Sequence, residues 1–273
     1  MRFLLCLLFL LAGPVLAQTD LRQHPAFHSQ FLAGDRDIVV YLPPGYDAHP
    51  DQRYPVLYMQ DEQALFGDSV SPYSNKGWEA DRTAQALITQ GRIRPLIIVG
   101  VANGGEARID EYTQSFSEQY KKGGRADLYG RMLVEDVKPF IDSHYRTIPG
   151  DAGLGGSSLG GLVSMYLGLK YPAVFDRLAV MSPSVWWDDK RILKDIAAAP
   201  SRTPARIWVD IGTDEGDNPE AHVAHARMLR DALIAKGWKL DGDLAYFEDA
   251  GAKHSEGPWA QRFGRVLEFL YKN

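Results

Sequence analysis

Ala152-Gly-Leu-Gly-Gly-Ser-Ser-Leu-Gly-Gly-Leu-Val-Ser-Met-Tyr-Leu-Gly-Leu169 reads as a short buried strand, a turn too tight for most residues, and a helix. Two adjacent serines occupy the turn. Only Ser158 has glycine at both the second preceding and the second following position, Gly156 and Gly160, which completes G-x-S-x-G. For Ser157 the second glycine is replaced by Leu159. A strand that reverses directly into a helix strains the turn residue and crowds its neighbours, so side chains there clash. Glycine on both sides relieves the crowding and leaves the Ser158 hydroxyl exposed above a sheet edge.

The flanking sequence predicts that sheet. Tyr54 to Gln60 and Leu96 to Ala102 are compact apolar runs without the polar alternation of a strand that has one wet face, so both are expected inside a parallel sheet. Between them, Trp78 to Gln90 has helical spacing at positions 80, 84, 87 and 88, with Gly91 as terminator. Leu128 to Tyr145 repeats the helical period at Leu133, Val134, Val137, Phe140 and Ile141. Leu178 to Met181, Arg206 to Ile211 and Leu244 to Phe247 read as further strands, Pro219 to Lys236 and Trp259 to Tyr271 as helices. Phe27 to Leu42, with a turn at Ala33-Gly34-Asp35, predicts an opening β-hairpin. The expectation is one α/β domain over residues 18–273, with about eight strands in a mostly parallel central sheet flanked by about six helices.

Residues 1–17 read as a secretory signal: Arg2 gives a positive start, Phe3 to Ala12 an apolar run, and Val15-Leu16-Ala17 a cleavage site. The run is short for the roughly twenty residues of a spanning helix, and Gly13-Pro14 interrupts it. The expected location is periplasmic or secreted, with no stable membrane insertion after cleavage. The only cysteine, Cys6, lies in that segment, so the mature chain is expected to have neither disulfide nor thiolate metal site. With 45% hydrophobic and 11% aromatic residues the chain can build a sizeable core, which excludes a disordered protein. The formal charge is −5 and the longest basic cluster is Lys121-Lys122, which argues against a nucleic-acid partner.

A serine hydroxyl needs a base within reach, and the base needs an acid to hold its tautomer. The expected chain order is serine, acid, histidine. His254, the only histidine after His225, follows the Leu244 to Phe247 strand on a loop before the last helix and is the candidate base. Gly212-Thr-Asp-Glu-Gly-Asp, after the Ile211 strand end, offers Asp214, Glu215 and Asp217, and spacing does not choose among them. Asp210 is a further candidate, with a buried structural carboxylate as its alternative role. Asp217 or Asn218 can also cap the helix that opens at Pro219. His222 and His225 stand three apart on one helical face, but no third ligand is evident, and solvated helix residues are the expectation. For the developing oxyanion, the Leu159 N–H at the helix start is one donor, and Glu62 or Gln63, after the Tyr54 to Gln60 strand, supplies the second.

The chain at this point resembles the esterase family of the α/β-hydrolases, the group that includes esterase D, feruloyl esterase, enterochelin esterase and mycolyltransferase proteins. The resemblance is carried by Arg36-Asp-Ile-Val-Val-Tyr-Leu-Pro-Pro-Gly-Tyr, Tyr54 to Phe66, Gly155-Gly-Ser-Ser-Leu-Gly-Gly, Ser182-Pro-Ser-Val-Trp-Trp, Gly212-Thr-Asp-Glu and Lys253-His-Ser-Glu-Gly-Pro-Trp. It implies an α/β-hydrolase fold with Ser158 as nucleophile, His254 as base and Glu215, at the fourth place of its segment, as acid. Relatives commonly read Asp-Gly-Gln where this chain has Asp61-Glu62-Gln63, a departure in the oxyanion loop. Trp186 and Trp187 are placed to line an acyl pocket or to pack in the core, and Trp259 to anchor the last helix. The implied function is an exported serine esterase acting through an acyl-enzyme on a small-molecule, carbohydrate or siderophore-type ester, with no metal and no organic cofactor. The same site run as an acyltransferase, or a silent binding protein on the same fold, are the rival readings.

Overall fold

The computed structural model describes residues 19–69 and 76–272. The proposed signal at residues 1–17 therefore lies outside the described residues. In chain order the elements are β1 Asp20–Phe27, β2 Arg36–Leu42, β3 Tyr54–Gln60, α1 Ala80–Thr89, β4 Ile97–Val101, α2 Arg108–Glu111, β5 Phe116–Ser117, β6 Lys122–Gly123, α3 Ala126–Arg131, α4 Lys138–His144 and β7 Thr147–Ser157. They continue as α5 Leu159–Lys170, β8 Arg177–Met181, α6 Trp187–Ala198, β9 Arg206–Gly212, α7 Pro219–Lys236, β10 Leu244–Asp249 and α8 Glu256–Tyr271. Eight strands form one sheet in the order β1-β2-β4-β3-β7-β8-β9-β10. β1 and β2 run antiparallel at one edge, and every pair from β4 to β10 is parallel.

The apolar runs of β3 and β4 are continuous because both faces of the sheet are covered: every residue of each is buried. Successive side chains go to opposite faces. Val56, Tyr58, Leu178 and Val180 pack with α5 and α7 residues such as Val163, Leu167 and Leu229. Leu57, Met59, Ala179 and Met181 pack on the other face with Ala84 and Leu87 of α1 and Phe263 and Leu267 of α8. Burying a Leu or Phe side chain on either face contributes about 1.5–3 kcal/mol.

Helices α1, α7 and α8 fall close to their expected places, and the punctuation works as its chemistry requires. Gly91 takes φ +68° after α1, and Asn218 Oδ1 accepts the Ala221 N–H at 3.2 Å ahead of Pro219. Three expectations need correction. The opening hairpin starts earlier, because β1 ends at Phe27 and pairs Leu21 with Tyr41 and His24 with Ile38, leaving residues 28–35 as the connection. The helix expected over Leu128 to Tyr145 is present but widens into a π turn at Met132–Val137, between α3 and α4. Pro139, with no N–H to give Glu135, follows that turn within the first turn of α4. Helix α6 was not expected at all: Asp188, Asp189 and Lys190 have φ of 46°, 49° and 58°, so its first turn carries no helical period.

The loops that follow β7, β8, β9 and β10 leave the carboxyl ends of four neighbouring parallel strands. Ser158, Ser182 to Trp186, Glu215 and His254 all lie on them. Open α/β sheets gather ligand sites at this end.

Candidate active site

Ser158 joins β7 to α5 with φ 60° and ψ −124°, a backbone conformation that side-chain-bearing residues rarely adopt. It is held there by three backbone hydrogen bonds: its N–H donates to Met181 O at 3.0 Å, and its carbonyl accepts the Ser184 N–H at 3.1 Å and the Leu162 N–H at 3.0 Å. The glycines around it permit the approach. A Cβ on Gly160 would lie 3.1 Å from Gln60 Cβ and 3.2 Å from Asp61 Oδ2. Ser157 ends β7 and is buried, whereas Ser158 is half-buried and reaches a cavity of about 240 Å³. The Ser158 and Ser184 hydroxyls meet at 3.3 Å.

Glu215 and His254 line the same cavity. The Glu215 carboxylate is 1% exposed, and its Oε2 accepts a hydrogen bond from His254 Nδ1 at 2.7 Å. The proton is assigned to Nδ1 because an ionised carboxylate only accepts; the Nε2 lone pair is then left as the basic position. Oε1 accepts from the Gly212 N–H at 2.7 Å and from the Ser182 hydroxyl at 2.5 Å. Burial, the largest single influence, pushes the Glu215 carboxyl up. The hydrogen bond and charge of His254, with Ser182 and the Gly212 N–H, more than offset it and hold the group below its ordinary range.

Asp214 and Asp217 are exposed on the same loop. Asp210 is fully buried. It accepts from Trp208 Nε1 at 2.7 Å and the Ser182 N–H at 3.1 Å, lies 3.0 Å from Arg262 Nε, and has no bond to His254. Among the described residues no set of three or more metal-ligating side chains is assembled. The His222 and His225 rings lie 6.5 Å apart, and His222 instead lines the cavity.

Leu159 opens α5, where the first N–H groups of a helix lack intrahelical partners. Glu62 and Gln63 lie in a short 3-10 turn that follows Asp61, itself left-handed at φ 60°. Their side chains turn away from Ser158: Glu62 packs against Gly100 of β4, and Gln63 bonds the Asn103 backbone at 3.2 and 3.3 Å. Only backbone groups of these two residues remain for the oxyanion role. Burial, with Asp37 adding to it, pushes the Glu62 carboxyl up to about 7.

The two tryptophans separate. Trp186 lines the cavity beside Pro183 and Ile211. Trp187 is buried in the core, its indole N–H donating to Ser115 O at 3.0 Å and its ring stacked on Tyr120. Of the two, only Trp186 faces the cavity, and Trp187 packs in the core. Sequence reading missed Ser182, Ser184 and Arg262. Ser182 and Ser184 stood within the Ser182-Pro-Ser-Val-Trp-Trp segment of the family resemblance but were given no role, and the only signal of Arg262 was its place on the last helix.

With this geometry established, the chain can be compared with known proteins. Residues 29–270 match the model of the family described as "Putative esterase". The chain belongs to this esterase family. It is 28% identical over 254 residues to the uncharacterized protein YbbA of Bacillus subtilis (89% of this chain, 95% of that one). It is 26% identical over 204 residues to the ferri-bacillibactin esterase BesA of the same organism (67% and 68%). The crystal structure of the BES protein from Bacillus cereus superposes with a TM-score of 0.71 at 22% identity over 100% of both chains, a likeness of fold. The fold is that of an α/β-hydrolase, and the family assigns the chain to the carboxylic ester hydrolases.

Proposed function

We propose that this esterase works through Ser158, His254 and Glu215 by way of an acyl-enzyme. The observation that carries the reading is the Glu215–His254 hydrogen bond of 2.7 Å in the cavity that the strained Ser158 enters. Ser158 Oγ attacks the ester carbonyl carbon while His254 Nε2 takes its proton. The imidazolium returns that proton to the departing alkoxide, Glu215 stabilising its charge meanwhile. Water, deprotonated by the same nitrogen, then attacks the acyl carbon; the bond to Ser158 Oγ breaks, the imidazolium returns the proton to Oγ, and the acid leaves. The Leu159 N–H, with an N–H of Glu62 or Gln63, supports the oxyanion.

The cavity favours compact acyl groups. At about 240 Å³ it falls below the roughly 300–1,000 Å³ of drug-sized ligand sites. Its walls of Pro183, Trp186 and Ile211 suit a short or single-ring acyl moiety, with the alcohol outside. BesA, named for a siderophore ester, supports a small-molecule substrate. Hydrolysis of an ester panel is expected to fall at long acyl chains.

A fluorophosphonate probe tests the nucleophile. Labelling and ester hydrolysis should be lost in Ser158→Ala, the latter by about 10³-fold or more, and kept in Ser157→Ala. Full labelling of Ser158→Ala would overturn the reading. Export belongs to the same proposal, on the strength of residues 1–17; a secreted chain whose amino terminus is near Gln18 is the expected result.

A further inference from the structure

Ser182 follows the last residue of β8 with φ 39°, a strained position for a residue with a side chain, and is 1% exposed. Its hydroxyl oxygen has three partners: Trp259 Nε1 at 2.9 Å, Arg262 Nη2 at 2.6 Å and Glu215 Oε1 at 2.5 Å. Indole and guanidinium nitrogens only donate. They therefore take up the lone pairs of the hydroxyl, and its proton has a single destination, Glu215 Oε1. That oxygen also holds the Gly212 N–H, which leaves Oε2 to His254.

We propose, building on the triad reading, that Ser182 is a positioning residue: with Trp259 and Arg262 behind it, it fixes the Glu215 carboxylate against His254. The guanidinium is 2% exposed and lies 3.5 Å from Glu215 Oε1, so its charge reaches the carboxylate both directly and through a polarised hydroxyl in a dry interior. The same cation lies 3.0 Å from Asp210 and 3.5 Å from Asp249, which ties the acid loop to β9, β10 and α8. The other titratable groups nearby are His222 of α7, which lines the cavity, the exposed Asp214 and Asp217 on the acid loop, and Lys253, exposed, and Glu256, buried, next to His254.

NMR titration of the His254 imidazole in the whole protein tests this without relying on turnover. Removing the hydroxyl in Ser182→Ala takes a donor from Oε1 and concentrates negative charge on Oε2. The imidazolium is then better stabilised, and the His254 titration should move up by about one pH unit. The acid limb of kcat/KM should follow, with about a tenfold loss of rate below the limb that is recovered at higher pH. Trp259→Phe keeps the ring that meets His254 edge-on at 4.9 Å and should shift the titration the same way by less. Arg262→Met should shift it at least as far as Ser182→Ala. A His254 titration unchanged in Ser182→Ala, or in Trp259→Phe if Ser182→Ala does not fold, overturns the role. Ester hydrolysis that survives Ser158→Ala would sink the triad reading instead, and the titration would still report on Ser182.

Discussion

Glu215 is distinguished from Asp214 and Asp217 by where one turn places it: it is buried with three donors, and they are in water. A carboxylate in water interacts weakly with a histidine several ångströms away, whereas one buried against Nδ1 fixes the tautomer and stabilises the imidazolium. Glu215→Gln should therefore lower kcat by about 10²–10⁴-fold, since the amide either presents an N–H to Nδ1 or bonds it weakly. Asp214→Asn and Asp217→Asn should stay within about twofold of wild type. Steady-state kinetics of the three variants on one ester decides this. The sequence left Asp210, Asp214, Glu215 and Asp217 as candidates and family resemblance preferred Glu215; burial separates it from Asp214 and Asp217, and the contact with His254 Nδ1 separates it from the equally buried Asp210, neither of which spacing encodes.

At the scale of elements, helix α5 carries the elbow and lies unusually close to β8. A Cβ on Gly161 would lie 2.8 Å from the Met181 carbonyl oxygen and 3.2 Å from the Gly156 carbonyl, both backbone atoms of the central strands. Two effects compete in Gly161→Ala. Alanine favours a helix by about 0.8–1 kcal/mol over glycine, but the clash moves the helix from the sheet at a cost of about 1–3 kcal/mol. Because backbone cannot swing aside, the clash should win. Chemical denaturation is expected to show net destabilisation of about 1 kcal/mol, and turnover should fall further than stability because Ser158 moves with the helix. The helices legible in the sequence were α1, α7 and α8, whose apolar period meets one sheet face, and α5, which the glycine-flanked elbow announces. Helix α6 was hidden by its three left-handed residues, and the π turn by a helical period that the widened segment still satisfies.

For the whole molecule, two carboxylates make stability depend on pH in opposite senses. Glu215 sits below its ordinary range, so its contribution is complete above that range and is lost as pH falls through the folded value. Glu62 rises from 4.5 to about 7, so the folded state favours its protonated form; that advantage is present below 4.5 and is lost as pH climbs toward 7. Glu62→Gln, neutral at every pH, should therefore raise Tm at pH 8 and leave it nearly unchanged at pH 4. Partial solvent access discounts the effect to about 1 kcal/mol, or about 2–4 °C for a chain of this size. Thermal melts of both proteins at the two pH values test the sign. Among the described residues no helix is long and apolar enough to cross a membrane.

The sequence by itself determined the parallel sheet, the elbow at Ser158 and the placing of an acidic loop and the His254 loop after it, because each follows from local rules: two buried sheet faces, glycines where a turn crowds, and loops after strands. The tertiary structure alone decided which acid meets His254, which tryptophan meets the cavity, and that Ser182 and Arg262 stand behind Glu215. Those choices depend on which side chains are dried when β8, β9, β10 and α8 come together. Desolvation is a property of the assembled layers, and residues 28 to 80 positions apart supply it.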